Sequence, residues 1–331
     1  MCDMRNNRKA RKAVIMVAIL ILVLVLLFSG LQILESTVLR PQGGAVHSGS
    51  DRTIIRDGVE YYPRMDTTVV MVAGIDQTGP MVNSGSYNNS GAADMISLLI
   101  FNDTTETVNV LSLNRDSMVD IPVLGLGGKP AGTIKGQLAL AHTYGSGLED
   151  SSRNLRTAVS EFLYDIDIDY YVTLNMDAIA ILNDAVGGVT VNVTEDFSDV
   201  DPSIGMGEVK LTGKQALTFV RSRAGVGSQL NLSRMERHKE YMDGFMEALE
   251  TKMSIDNRFV LNTYESVVDY MVTDCTASVL ASILDQFSDY EMGEIITIDG
   301  ENVKGEKYME YYVDQEDLDR IVLEYLYAPK K

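Results

Sequence analysis

The sequence predicts a layered α/β domain preceded by one transmembrane helix. Two observations carry this prediction. Apolar, β-branched runs are interspersed along the chain with segments of helical spacing, and one long uncharged apolar segment lies near the N-terminus. With 331 residues, of which 45% are hydrophobic, the chain has the length of one large domain or two modest ones. Its composition is not that of a disordered chain.

The apolar segment Ala13–Leu34 contains 22 residues and no charge. As a helix rising about 1.5 Å per residue it would span roughly 33 Å, enough for a hydrocarbon core of about 30 Å. A cleaved signal peptide is the alternative, but its apolar region normally has only about 7–15 residues. The basic tail 1–12 places the N-terminus in the cytoplasm and the rest of the chain outside. We therefore predict a single-pass protein of the cell membrane.

Charge and cysteine content exclude two other classes of protein. The formal net charge is −19 at pH 7, and the chain beyond the basic tail is more acidic still. A nucleic-acid partner is excluded because nucleic-acid-binding surfaces need a basic field. The two cysteines, Cys2 and Cys275, cannot form a disulfide framework.

Residues 35–65 have no sustained hydrophobic period and contain PQGGAVHSGSDR, which predicts an extracellular stalk. The extracellular domain is expected to cover 66–331, with a core over 66–252 and a C-terminal part over 253–331. No Pro/Gly linker separates these two parts.

The hydrophobic pattern places the elements of this domain. In the core we predict strands at Thr67–Ile75, Ile96–Phe101, Thr107–Leu113, Tyr170–Leu174 and Val189–Val193. Core helices are predicted at Arg153–Tyr164, Met176–Ala185, Thr212–Arg221 and Leu232–Lys252. The C-terminal part has predicted helices at Ala277–Phe287 and Asp314–Tyr325 and predicted strands at Glu294–Ile298 and Tyr308–Val313.

Several arginines occur near predicted strand ends and helix starts: Arg115, Arg221, Arg223, Arg234 and Arg237. Each one alone is explained by pairing with a surface carboxylate, an interaction that contributes little to stability. Taken together they indicate a phosphate site, because several guanidinium groups match phosphate oxygens in pairs of hydrogen bonds.

Two aspartates lie where predicted strands meet the glycine-rich loop Gln77–Gly91. Asp76 ends VVMVAGID, and Asp94 precedes ISLLIF. For either aspartate alone, capping of the loop is an equally good explanation. Beside arginines, two carboxylates suit Mg²⁺, which binds one or two carboxylates together with substrate phosphates.

Eight sequence blocks follow one another between about Thr67 and Met242. They are VVMVAGID, AADMISLLIFN, VLSLNRDSMVDIPV, LALAHTYGSG, IDYYVTLNMDAI, NDAVGGVTVNV, LTGKQALTFVRSR and LSRMERHKEYM. In this order they resemble the LytR-CpsA-Psr family, and the tail to Lys331 resembles the family's C-terminal part more loosely. The resemblance implies a layered α/β/α domain with a central mixed sheet, which holds a lipid between sheet and helices.

The resemblance also implies an activity in Gram-positive envelopes. Such a phosphotransferase moves a wall teichoic acid, a capsular polysaccharide or another wall polymer from a polyprenyl-pyrophosphate carrier to a muramic acid hydroxyl of peptidoglycan. A phosphodiester forms and polyprenyl phosphate is released. The implied partners are the lipid-linked glycan, the peptidoglycan acceptor and the membrane, and the implied cofactor is Mg²⁺ or Mn²⁺.

The family's functional positions match residues of this chain. The resemblance assigns the metal to Asp76 and Asp94. It assigns the pyrophosphate to Arg115, Arg221, Arg223, Arg234, Arg237 and His238. The catalytic candidates are Arg115, Asp116 and Asp94, with either aspartate as a base. An orienting role beside Arg115 is the alternative for Asp116, and the one we favour.

Three positions depart from the family pattern. Ala92 replaces an arginine two residues before Asp94, His238 replaces a glutamine, and Asn231 replaces an acidic residue. The missing arginine removes one phosphate donor, for which the chain offers two substitutes, Arg64 and Lys135.

Two other functions stay open at this point. One is an envelope regulator or binder of lipid-linked glycan with weakened catalysis, and the loss of the arginine at Ala92 gives it weight. The other is a pyrophosphatase that hydrolyses the carrier with water as nucleophile. Release of polyprenyl phosphate excludes the first, and covalent glycan on peptidoglycan excludes the second.

Overall fold

The computed structural model describes residues 46–48, 52–125, 128–222, 226, 231–256, 258–287, 289–306 and 308–330. The tail 1–12 and the apolar segment Ala13–Leu34, predicted to span the membrane, lie outside these ranges. Within them, no helix has both the length and the apolar character needed to cross a membrane.

Among the described residues, the first eight strands precede the first α-helix, and strands and helices are interspersed after it. The strands are β1 (Val46–Ser48), β2 (Thr53–Arg56), β3 (Val59–Pro63), β4 (Thr67–Ile75), β5 (Ala93–Asn102), β6 (Thr107–Leu113), β7 (Met118–Leu124), β8 (Pro130–Gln137), β9 (Tyr170–Asn175), β10 (Val189–Val193), β11 (Gly207–Leu211), β12 (Met271–Thr273), β13 (Glu291–Thr297), β14 (Gly300–Lys304), β15 (Met309–Val313) and β16 (Tyr327–Pro329). The α-helices are α1 (Glu149–Phe162), α2 (Asp177–Ala185), α3 (Gly213–Arg221), α4 (Asn231–Ile255), α5 (Phe259–Val267), α6 (Ala277–Gln286) and α7 (Gln315–Ile321). A 3₁₀ helix, Leu138–Thr143, joins β8 to α1.

The predicted α/β class is confirmed, and so are the elements predicted from strong patterns. β4, β6 and β10 have the predicted bounds residue for residue. β4 and β6 are apolar runs buried along most of their length, as expected for strands covered on both faces. The helix predicted at Thr212–Arg221 is α3, with Thr212 as its N-cap in a capping box with Gln215.

The chain forms two compact units. The first contains Val72–Met81 and Val172–Tyr290. Its part of the central sheet has the strand order β12-β9-β4, with β12 antiparallel to β9. α4 packs on β10, which pairs with β11, and α3 packs on α2. Buried aromatic rings fill this core, among them Phe197 and Phe219, which stack at 5.4 Å between ring centroids.

The second unit contains 46–71, Val82–Tyr171 and 291–330. Its part of the central sheet has the order β4-β5-β6-β13. β5 is antiparallel and β13 parallel to β6, so the sheet is mixed. α1 packs on the hairpin of β7 and β8, and β14 pairs with β15 in a second hairpin. The stretch predicted as one C-terminal part, 253–331, is divided between the two units.

The structure differs from the predicted stalk over residues 53–63. β2 and β3 are the central strands of a four-stranded sheet with the order β1-β2-β3-β16, and Ile54 of β2 is only 2% exposed. The strands are short, and much of their length is only partly buried. Their apolar alternation is therefore too weak to register as a period. Residues 53–63 thus belong to the folded second unit.

Candidate active site

Arg115 lies in a tight turn between β6 and β7. Asn114 shapes the turn, because its carbonyl accepts the Ser117 N–H at 3.0 Å and its Oδ1 accepts the Asp116 N–H at 2.9 Å. The Arg115 guanidinium donates through Nη1 to Asp94 Oδ1, and its Nε lies 3.4 Å from Asp116 Oδ1. The structure therefore brings together the three residues predicted to be catalytic.

Asp116 is itself held from two sides. Gln137 Nε2 donates to Asp116 Oδ1 at 2.8 Å and to the Met309 carbonyl at 2.8 Å. The Tyr311 N–H donates to the Asp116 carbonyl at 2.9 Å. These contacts suit a carboxylate that orients Arg115. Sequence reasoning missed Gln137, since no local pattern links it to a carboxylate 21 residues earlier.

The cluster of Asp94, Arg115 and Asp116 is reachable from solvent. The side chains are 21%, 35% and 25% exposed, respectively. A guanidinium carries five N–H donors in a fork that matches phosphate oxygens. The arrangement therefore has the chemistry to bind a phosphate group with an oriented cation.

In the first unit, Asp76 lies directly after β4 and Arg221 is the last residue of α3. Arg221 Nη2 lies 3.4 Å from Asp76 Oδ1, and both side chains are about half exposed. An ion pair at this exposure contributes little to stability. Both groups therefore remain accessible to a ligand.

Arg237 of α4 is buried in the same unit, with 5% exposure. Its Nη2 donates to the Ser222 carbonyl at 2.7 Å, its Nη1 lies 3.2 Å from Glu195 Oε2, and its guanidinium stands over the Phe197 ring. Burial lowers the pKa of Arg237. The sequence predicts a phosphate contact here, but the burial favours a positioning role, because Arg237 holds the residue that follows Arg221. Glu195 was missed in the sequence, since it lies far from Arg237 along the chain.

Three further residues predicted to bind pyrophosphate are not described at the level of the side chain. Arg223 lies outside the described residues. Arg234 and His238 belong to α4, and their side chains also lie outside the described part of the structure.

Of the two substitutes for the arginine missing at Ala92, the structure excludes Arg64. Arg64 lies 3.6 Å from Asp66, whose carbonyl accepts the Asp103 N–H at 2.8 Å. This places Arg64 at the far end of β5 from Asp94, about 30 Å away along the strand.

Lys135, by contrast, lies in β8 two residues before Gln137. The register of β7 and β8 is regular there, so the two side chains share one face of the hairpin. Because Gln137 contacts Asp116, Lys135 is the better substitute.

A model of the LytR_cpsA_psr family matches residues 46–324. The chain belongs to this family. The LytR-CpsA-Psr resemblance of the eight sequence blocks is thereby confirmed.

Two relatives in the family carry the same name, polyisoprenyl-teichoic acid–peptidoglycan teichoic acid transferase TagU. The protein of Oceanobacillus iheyensis is 26% identical over 333 residues, which covers 96% of this chain and 95% of the relative. The protein of Bacillus subtilis is 27% identical over 245 residues, which covers 73% of this chain and 72% of the relative.

Solved structures share the fold at lower identity. A protein from Streptococcus agalactiae, gbs0355, aligns with a TM-score of 0.59 at 20% identity, over 78% of this chain and 86% of its own. TagT bound to LIIa-WTA aligns with a TM-score of 0.55 at 22% identity, over 78% of this chain and 89% of its own. The mixed α/β fold with a central mixed sheet is therefore that of LytR-CpsA-Psr structures.

Proposed function

We propose that this chain is a phosphotransferase that moves a glycopolymer from a polyprenyl-pyrophosphate carrier to a muramic acid hydroxyl of peptidoglycan. The observation that carries the proposal is the guanidinium of Arg115, oriented by Asp94 and Asp116 and reachable from solvent. The TagU relatives, named as teichoic acid–peptidoglycan transferases, support the same reaction class.

In this proposal the arginines stabilise the negative charge of the pyrophosphate. Arg115 binds oxygens of the pyrophosphate and stabilises the charge that develops on them in the transition state. The muramic hydroxyl attacks the phosphorus nearer the glycan, and the bond to polyprenyl phosphate breaks. The hydroxyl proton passes to a carboxylate, for which Asp94 and Asp116 are the candidates, and Asp94 would be a poor base while it holds a metal ion. Because Asp116 accepts from Gln137 beside Arg115, we assign it the orienting role.

The donor chemistry fits the cation that the family implies. Asp76 and Asp94 offer hard carboxylate oxygens, and each lies beside an arginine suited to phosphate. The described residues contain no group of three or more His, Cys, Asp or Glu side chains placed for a metal. Mg²⁺ needs none, since one or two carboxylates, waters and substrate phosphates complete its coordination. Held by either of these carboxylates, Mg²⁺ or Mn²⁺ would neutralise the pyrophosphate.

Transfer is expected to stop when divalent cations are chelated and to resume with Mg²⁺ or Mn²⁺. Asp76→Asn and Asp94→Asn each remove one charged ligand, so each is expected to raise the Mg²⁺ concentration for half-maximal rate about tenfold or more. Asp116→Asn is the matched control, because it removes a charge beside Arg115 without removing a proposed ligand. An unchanged Mg²⁺ requirement in both ligand variants would contradict the metal assignment.

Lys135→Ala is expected to raise KM for the lipid-linked donor about three- to tenfold, since the variant loses a cation near the pyrophosphate. Lys129→Ala, which removes an exposed lysine just before β8, is the control. The measurement is initial rate against donor concentration. Equal KM values for the two variants would show that Lys135 does not replace the missing arginine.

The reaction itself is tested with purified full-length chain, a lipid-linked polymer and peptidoglycan. We expect polyprenyl phosphate to be released and the polymer to become covalently attached to the peptidoglycan. Polyprenyl phosphate with only free polymer would indicate the pyrophosphatase instead. Binding of the donor without release would indicate the regulator or binder.

We also propose that the segment Ala13–Leu34 anchors the domain outside the cell, where the acceptor lies. The basic tail before it and the acidic chain after it support this orientation. Protease added to intact protoplasts should digest the domain, and protection of the domain would refute the orientation.

A further inference from the structure

The 3₁₀ helix Leu138–Thr143 is bonded to the turn that carries Arg115. The Leu138 N–H donates to the Ser117 carbonyl at 2.8 Å, and the Ala139 N–H donates to the carbonyl of Arg115 itself at 2.9 Å. The first turn of the 3₁₀ helix therefore fixes the backbone on which the Arg115 side chain is mounted.

The other end of the same 3₁₀ helix is bonded to the segment that leads into Asp94. His142 Nδ1 lies 2.7 Å from the Gly91 carbonyl oxygen, and Gly91 is three residues before Asp94. Because a carbonyl can only accept, Nδ1 carries the proton and donates. A single short helix thus contacts the chain beside both members of the Asp94–Arg115 pair.

Asn89 closes this arrangement around Gly91. Its Oδ1 accepts the Gly91 N–H at 2.7 Å, while its Nδ2 donates to the carbonyls of His142 and Gly145, each at 2.9 Å. Gly91 is therefore held at its N–H by Asn89 and at its carbonyl by His142. His142 belongs to the end of the 3₁₀ helix, and Asn89 is hydrogen-bonded to it.

The imidazole of His142 is fully buried. Its Nε2 has no hydrogen-bond partner among the described residues, and burial lowers the pKa of His142 to about 4. The ring is therefore neutral near pH 7. Burying a polar ring has a cost that an aliphatic side chain of similar size would avoid. The directed bond to Gly91 is what distinguishes histidine from leucine at this position.

We propose that His142 is a positioning residue for the transfer reaction. Through the 3₁₀ helix it fixes the start of β5 relative to the Arg115 turn, and so sets the distance and orientation of the Asp94–Arg115 pair. His142 touches no reacting atom in this role. The expected change in kcat rests on the proposed function. The expected change in the Asp94–Arg115 contact does not.

The test compares His142→Leu with His142→Asn in the full-length chain. Leucine fills the space but leaves the Gly91 carbonyl without its donor, whereas the asparagine amide places a donor near the position of Nδ1. We expect His142→Leu to lower kcat about 10- to 100-fold with KM for the donor nearly unchanged, because a small misplacement of a catalytic group has effects of this size. His142→Asn is expected to recover kcat to within about threefold of wild type. If the leucine variant does not fold, His142→Gln takes its place. The glutamine amide reaches the Nε2 position and not the Nδ1 position, so this variant also leaves the Gly91 carbonyl without its donor.

Tyr164→Phe is the matched control, since it removes a different buried hydrogen bond of the same unit, to Asp319. It is expected to lower the melting temperature without lowering kcat. A kcat in His142→Leu no lower than in Tyr164→Phe, or no recovery in His142→Asn, would overturn the proposal.

Crystal structures of the two histidine variants show the position of the Asp94–Arg115 contact without any measurement of activity. The Asp94–Arg115 contact should be displaced in His142→Leu and retained in His142→Asn, and an unmoved contact in His142→Leu would also overturn the proposal. Absence of transfer in the wild type would defeat the proposed function alone, and these structures would then decide the role of His142.

Discussion

Replacing Arg115 with alanine is expected to lower polymer transfer about 10³-fold or more and to leave the melting temperature within a few degrees of wild type. The loss of rate is large because an oriented guanidinium stabilises charge that develops only in the transition state. The loss of stability is small because Arg115 and its two carboxylate partners are all partly exposed. The measurement is release of polyprenyl phosphate, with thermal unfolding on the same preparation.

Two further variants sharpen the Arg115 experiment. Arg115→Lys keeps the charge but loses the forked donors, so its rate is expected to lie between those of alanine and wild type. Arg320→Ala removes an exposed arginine of α7 that pairs with Asp317 and Glu324, and it is expected to leave the rate unchanged. A rate for Arg115→Ala within about tenfold of wild type would remove Arg115 from the proposed mechanism.

Arg237→Met is expected to reduce the free energy of unfolding by about 3–5 kcal/mol, the usual effect of breaking a buried ion pair. The variant leaves Glu195, which is 12% exposed, without its cation and the Ser222 carbonyl without its donor. Chemical denaturation followed by circular dichroism measures the change.

The control for Arg237 is Arg221, which directly precedes the residue that Arg237 contacts, Ser222. Arg221→Ala is expected to lower the free energy of unfolding by less than about 1 kcal/mol, because the Asp76–Arg221 pair is half exposed, and yet to lower the transfer rate. The double variant Glu195→Gln with Arg237→Met should regain part of the lost stability, since no unpaired charge remains. Equal losses of stability in the two single arginine variants would contradict the buried role of Arg237.

The sequence predicts the elements with a strong apolar pattern, whether the burial is nearly continuous, as in β4, or alternates, as in β10. β4 and β6 are apolar runs with both faces covered, so their composition alone marks them. β7 and β8 were missed because Pro122 and the glycines of PAGTIKGQ lower strand propensity. These two strands are stabilised by pairing with each other and by α1, which no local pattern reports.

The candidate site shows the same division. The motifs predict Arg115 and Asp94 as site residues, and the structure places the two side chains in contact. The burial of Arg237 could not be found in this way, because it depends on Glu195 and Phe197, which α4 meets only after folding. Gln137 and Asn89 act through single hydrogen bonds to distant segments, which leave no periodic trace in a sequence.

The pairing of β16 with β3 bears on how the protein is handled. Tyr327 is fully buried and opposite Pro63, and the Lys330 N–H donates to the Glu60 carbonyl at 2.8 Å. The family match ends at residue 324, so an expression fragment trimmed to that boundary would lack β16. β3 would then become an open sheet edge, a known template for aggregation. Affinity tags and reporter fusions are therefore better attached after Lys331 than in place of the last strand.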